Sequence, residues 1–301
     1  MSLAQPLFIL GSPRSFTSLL CAMLGQHPQA YGVPELNLFA AETLNDLSEM
    51  MVGLRQFQMH GLLRTVAQLY TGEQTITSLE MAQRWLFRRS DRTTGEIYWE
   101  ICRQVAPLRI VDKSPVYSTK PEILQRIYQS FPDAKFLHLI RHPRSQGKSM
   151  MTVAEGMMTM LSGSIDHSTD PPTVDPQYLW VKMQRNILNF LAEVPPSQQM
   201  CLRGEDILSD TRSYFEEISK WLNLDWNESI YESMLHPETS PYACLGPYGA
   251  HLGNDPNFLK SPHFSPREIP PNTLVGSLPW RNDGKGFISD VIKLAQELGY
   301  E

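Results

Sequence analysis

Four consecutive apolar residues, Leu7-Phe8-Ile9-Leu10, run directly into Gly11-Ser12-Pro13-Arg14-Ser15-Phe16-Thr17-Ser18, and Leu19, Leu20, Met23 and Leu24 follow at helical spacing. A short apolar run without alternation predicts a strand buried on both faces, as in parallel sheets covered by helices. The loop that follows is small and cationic. It brings backbone N–H groups and the hydroxyls of Ser15, Thr17 and Ser18 to the positive end of a helix. Arg14 adds a planar fork suited to phosphate oxygens. This segment therefore predicts an anion cradle at the end of a buried strand. It is not a Walker A loop, which needs Gly and Lys where Phe16 and Thr17 stand.

The same grammar recurs downstream. Leu108–Val111, Phe136–Ile140 and Met200–Leu202 read as further strands, and Thr119–Ser130 and Gln177–Leu191 as helices. The predicted fold is α/β: one domain over residues 1–301, with a central parallel sheet flanked by helices and a P-loop-like anion-binding loop. A hydrophobic content of 42% can supply its core, and no internal repeat or low-complexity linker divides it. Tyr242–Trp280 carries seven prolines and predicts a loop-rich lid or substrate wall. Met150-Met151 and Met157-Met158-Thr159-Met160 suit either adaptable core packing or an apolar substrate wall. The net charge of −6 argues against non-specific binding to nucleic acid or membrane. No run approaches the roughly 18 apolar residues of a spanning helix, and Gly11, Pro13 and Arg14 cut short the N-terminal apolar run, so the cytoplasm is the expected location. The four cysteines show no CxxC and no His at metal-ligand spacing. They are expected to be reduced and packed, with no metal bound.

A second anion feature stands at the end of Phe136–Ile140, where Arg141-His142-Pro143 opens a helix bearing Ser149. Two anion sites at the carboxyl ends of parallel strands fit a nucleotide with phosphates at both ends of its nucleoside. Gly11–Leu20 resembles the 5′-phosphosulfate loop of sulfotransferases that use 3′-phosphoadenosine-5′-phosphosulfate (PAPS), written PRSGTTLL, with Phe16 in place of the loop Gly. Ile140–Ser149 is similar to their 3′-phosphate motif, an Arg and a Ser eight residues apart. Arg203-Gly-Glu-Asp-Ile-Leu208 resembles an R-[YF]-E-D-L element, and Val111–Tyr117 a K-[ST]-P-x-Y element.

The resemblance implies that Arg14, Ser15, Phe16, Thr17 and Ser18 surround the 5′ end of PAPS, that Arg141 and Ser149 hold its 3′-phosphate, and that Lys260 reaches that phosphate from a C-terminal loop. Lys113 would stabilise charge at the transferring group. Arg203 would either approach the same site or pair with Glu205. Three residues remain open as the base: Glu35, placed like a catalytic Glu of protein-tyrosine sulfotransferases, and His251 and His263 from the loop-rich region. The overall pattern is most similar to sulfotransferase domains of bacterial polyketide and olefin synthases. That likeness implies a β-hydroxyacyl chain on an acyl carrier protein as acceptor, and a domain excised from a larger polypeptide. Arg84, Arg88, Arg89 and Arg92 suit either an acidic carrier protein or a solvated helix face. The rival readings are a small-molecule kinase and a non-catalytic nucleotide-binding module.

Overall fold

Leu7–Leu10 (β1) lies at the centre of a five-stranded sheet in the computed structural model of the chain, which describes residues 3–152 and 163–301. Its companions are β2 (Ala30–Gly32), β3 (Arg109–Asp112), β4 (Lys135–Ile140) and β7 (Gln199–Arg203), in the order β2-β3-β1-β4-β7. All four pairings are parallel, with Leu7 opposite Val111, Leu10 opposite His138 and Ile140 opposite Arg203. The short strands β5 (Ile165–Asp166) and β6 (Thr173–Val174) form a separate antiparallel ribbon. Because the five strands run the same way, the segments leaving them converge on one edge of the sheet. That edge receives Arg14, Glu35, Lys113, Arg141 and Gly204, each within a few residues of a strand end.

The helices are α1 (Thr17–Leu24), α2 (Leu44–Met50), α3 (His60–Thr71), α4 (Ile76–Phe87), α5 (Thr94–Val105), α6 (Pro121–Ser130) and α7 (Pro143–Met151). They continue with α8 (Pro176–Leu191), α9 (Gly204–Ser209), α10 (Thr211–Trp221), α11 (Glu228–Met234), α12 (Pro256–Lys260) and α13 (Ser289–Glu297). Alternation along β1 divides the core. Phe8 and Leu10 face a cluster with residues of α2 to α6 and α8, whereas Leu7 and Ile9 face α1, α10 and α11. Phe8 lies 5.8 Å from Phe136, 5.4 Å from Tyr98 and 5.9 Å from Phe39, which makes an aromatic centre to the first cluster. Proline at the first turn sets the start of α6, α7 and α8, because its missing N–H would have no helical acceptor there.

Several sequence expectations shift. The third strand is Arg109–Asp112, one residue later than read, and Pro121 delays the helix expected from Thr119. β2 went unread because three residues are too few to show a pattern. β7 has one neighbour and is only half-buried, so its apolar residues do not mark a strand covered on both faces. Cys21 and Cys102 are buried as expected, but Cys201 and Cys244 are exposed, on the edge strand and a loop respectively. Met150 packs with Leu179 and Met183 as core. Met157–Met160 lies outside the described residues. Among the described residues no helix is long and apolar enough to cross a membrane.

Candidate active site

The loop between β1 and α1 is held in an uncommon backbone conformation. Arg14 and Phe16 both have positive φ, 67° and 63°, on either side of Ser15. A left-handed residue costs about 1–2 kcal/mol when it carries a Cβ, so such a pair persists only where surrounding contacts enforce it. Left-handed residues in such a loop turn neighbouring N–H groups toward one concavity, the geometry of an anion nest. Phe16 is also the N-cap of α1 and supplies no side-chain cap, so the first-turn N–H groups face the same concavity without one. Ser12 and Ser15 brace the loop through their hydroxyls at 3.0 Å. Gly11 lets the loop cross β4: a Cβ there would lie 2.6 Å from the Leu139 carbonyl oxygen.

Lys113 leaves the end of β3 and is almost fully buried. Its Nζ donates to Ser18 Oγ at 2.7 Å and to Glu35 Oε1 at 2.7 Å, which links the loop to the segment after β2. The Glu35 side chain keeps a quarter of its surface open. Its backbone N–H donates to the Gly253 carbonyl at 2.7 Å, so the C-terminal loop fixes its height at the mouth. Beneath this pair, the Asp112 carboxyl accepts from Tyr117 Oη at 2.9 Å and Ser114 Oγ at 3.1 Å, and Ser114 Oγ accepts from the Asn37 N–H at 3.0 Å. Burial pushes the Asp112 carboxyl up to about 7 despite those donors. The network ties the Glu35 segment to the strand end carrying Lys113.

Arg141 leaves β4 beside the loop. Its Nη1 donates to the Arg14 carbonyl at 2.6 Å and its Nε to Ser145 Oγ at 3.1 Å, and its guanidinium lies 4.2 Å from the centre of the Phe16 ring. Burial pulls this guanidinium down to about 10, with Arg14 and Arg267 adding like charge and Glu205 opposing them. Ser149 accepts no hydrogen bond from Arg141; it accepts from Arg14 Nε at 3.0 Å. The two expected anion sites are therefore one continuous surface, joined through Arg14. Arg14 also pairs with the carboxylate of Asp255, at the cap of α12.

The remaining expected residues lie apart from this centre. His251 is exposed and bonds the Gly246 carbonyl at 2.9 Å. His263 is exposed, with Nδ1 3.7 Å from Glu238. Neither makes a hydrogen bond to the loop or to Lys113 among the described residues. Arg203 pairs with Asp206 at 2.6 Å, not with Glu205, and donates to the Gly299 carbonyl at 2.8 Å. The reason is helical: α9 starts at Gly204, which puts Asp206 on the Arg203 side, while Glu205 accepts from the His142 N–H and Tyr300 Oη. Lys260 ends α12 with its side chain exposed and no ion pair among the described residues. Of the basic run, Arg89 and Arg92 are taken up by Glu100, and Arg84 stands 3.9 Å from Glu80.

Sequence reasoning missed Ser145, although it stands one helical turn before Ser149 on α7; its Oγ accepts from Arg141 Nε. It also missed Asp112 and Tyr117 as a buried brace, although both flank the K-S-P element, and Arg144, which donates to the carbonyls of Thr273, Val275 and Ser277 at 2.7–2.8 Å. Arg144 and Asp255 together hold the Tyr242–Trp280 region across both strand-end loops.

An anion nest, a buried lysine and a second cationic strand end leave several transferases open, and comparison with known proteins decides between them. The sequence profile of the sulfotransferase family matches residues 6–228, which is most of the chain. The chain belongs to the sulfotransferase family. Among solved structures, a sulfotransferase domain from the curacin biosynthetic pathway superposes with a TM-score of 0.76 at 25% identity, over 100% of this chain and 99% of that one. A sulfotransferase domain from the Synechococcus PCC 7002 olefin synthase gives 0.74 at 27% identity, over 100% and 96%. No curated protein matches the chain. This sulfotransferase is thus an enzyme of the α/β class expected from its strands, and the kinase and binding-module readings give way to the family match.

Proposed function

We propose that this sulfotransferase takes its sulfuryl group from PAPS and that Glu35 receives the acceptor's proton. The chain Ser18–Lys113–Glu35, with both links at 2.7 Å, carries the reading. It sets one cation between the phosphosulfate loop and a partly open carboxylate. In the reaction, the bond between sulfur and the 5′-phosphate oxygen breaks as the acceptor oxygen bonds to sulfur. The acceptor's proton passes to Glu35, and 3′-phosphoadenosine 5′-phosphate (PAP) leaves. Lys113 offsets charge that grows on the leaving phosphate oxygen, and the nest at Arg14–Phe16 holds that phosphate. The residues fit such a donor: the nest has N–H groups without a side-chain cap, and Arg141 and Ser149 continue the polar, cationic surface from Arg14.

For the acceptor, we read a β-hydroxyacyl chain on an acyl carrier protein. Both similar proteins are sulfotransferase domains, one from the curacin biosynthetic pathway and one from an olefin synthase, which supports this and also supports reading residues 1–301 as a domain of that kind. Leu54, Leu245 and Tyr248 are exposed on segments adjoining His60 and Gly253, an apolar margin suited to a flexible acyl chain. Incubation with PAPS and a panel of acceptors tests it by mass spectrometry. Carrier-bound β-hydroxyacyl groups should gain one sulfuryl group each. Turnover confined to phenols or tyrosyl peptides would contradict the acceptor assignment and leave the donor assignment standing.

A further inference from the structure

Phe16 and Gly204 carry an exchange. The resemblance patterns place Gly at the first position and an aromatic residue at the second; this chain has the reverse. The structure shows that the two positions meet. A Cβ on Gly204 would lie 2.6 Å from Phe16 Cδ2, so the start of α9 is open to the ring only because residue 204 has no side chain. The same ring carries the Arg141 guanidinium, 4.2 Å from its centre. Phe16 pays for this seat with a left-handed backbone that an aromatic residue rarely adopts. The guanidinium is thereby fixed from two directions. Phe16 supports its face, while Ser145 Oγ and the Arg14 carbonyl take Nε and Nη1 in its plane. Nη2 makes no hydrogen bond among the described residues.

We propose that Phe16 is a positioning residue: seated on Gly204, its ring holds the Arg141 guanidinium flat so that its remaining in-plane donors meet the 3′-phosphate of the nucleotide. Ring support leaves in-plane donors available, which a carboxylate partner would consume. The proposal rests on the PAPS reading above, and deepens it by assigning recognition of the 3′-phosphate to a pair of positions.

The test is calorimetric titration of PAP and of AMP, which lacks the 3′-phosphate, into the intact protein and into Phe16→Leu, Phe16→Tyr, Gly204→Ala and Phe16→Leu/Gly204→Ala, each checked for its melting temperature. Phe16→Leu should weaken PAP about tenfold and AMP by less than about twofold, so that preference for the 3′-phosphate falls. Phe16→Tyr should restore the preference. Gly204→Ala should lower it by lifting the ring, and the double variant should lose little more than either single one, since both act through one contact. Unchanged preference in Phe16→Leu, or equal loss for PAP and AMP, overturns the proposal; should Phe16→Leu fail to fold, Gly204→Ala decides by the same comparison. If the unmodified protein shows no preference for PAP, the PAPS reading itself fails, and this proposal falls with it.

Discussion

Arg141 has a ring on one face of its guanidinium and two acceptors for its Nε and Nη1. Losing a charged hydrogen bond to a bound anion costs on the order of 1.5–3 kcal/mol, so Arg141→Ala should weaken PAP roughly ten- to a hundredfold by calorimetry. Histidines give the contrasting case. His251→Ala and His263→Ala should each leave kcat within a few-fold of the parent, because their partners are the Gly246 carbonyl and Glu238 rather than the phosphate loop. A loss of about 10²-fold or more in either would return the base to the C-terminal loops. Arg14, Lys113 and Arg141 were legible in the sequence because each follows an apolar strand run. Asp255 was not, since it approaches Arg14 from 241 residues away and no local pattern announces such a contact.

Strands β3 and β4 carry buried titratable groups of opposite sign, and their elements should register in the pH dependence of stability. His138 on β4 and His142 at the cap of α7 are both held neutral by burial, down to about 4. The unfolded chain binds those protons near the ordinary value of about 6.5, so their contribution is lost as pH falls from there toward 4. Asp112 on β3 acts the other way. Its carboxyl, raised to about 7, keeps a proton that the unfolded chain releases near 4, so its contribution is greatest at low pH and is lost as pH rises through that interval. Melting curves from pH 4.5 to 7.5 should therefore show a shallower acid-side loss in His138→Gln and a steeper one in Asp112→Asn. Slope changes of the same sign in both variants would contradict these assignments. At this scale the sequence was most readable where elements are long or uniformly apolar, as in α8, β1 and β4. It was least readable in β2, three residues long, and in β7, whose edge position leaves it half-exposed.

Taken as a whole, the molecule gathers its cations at the carboxyl edge of a parallel sheet and closes a C-terminal loop over them through Asp255, Gly253 and the Arg144 clasp. Charge on the transferring group is met by lysine and arginine side chains in the proposed reaction, so sulfuryl transfer should proceed at an unchanged rate in EDTA. A strict requirement for Mg²⁺ would contradict that assignment. The central claim is that Glu35 takes the acceptor's proton beside a PAPS molecule held by the loop and Lys113. Single-turnover formation of PAP, with PAPS prebound and a carrier-bound β-hydroxyacyl acceptor added, tests it directly in the parent and in Glu35→Gln. The account predicts that Glu35→Gln slows this step by roughly 10²–10⁴-fold while binding PAPS with nearly parental affinity. Equal single-turnover rates in the two proteins would contradict it.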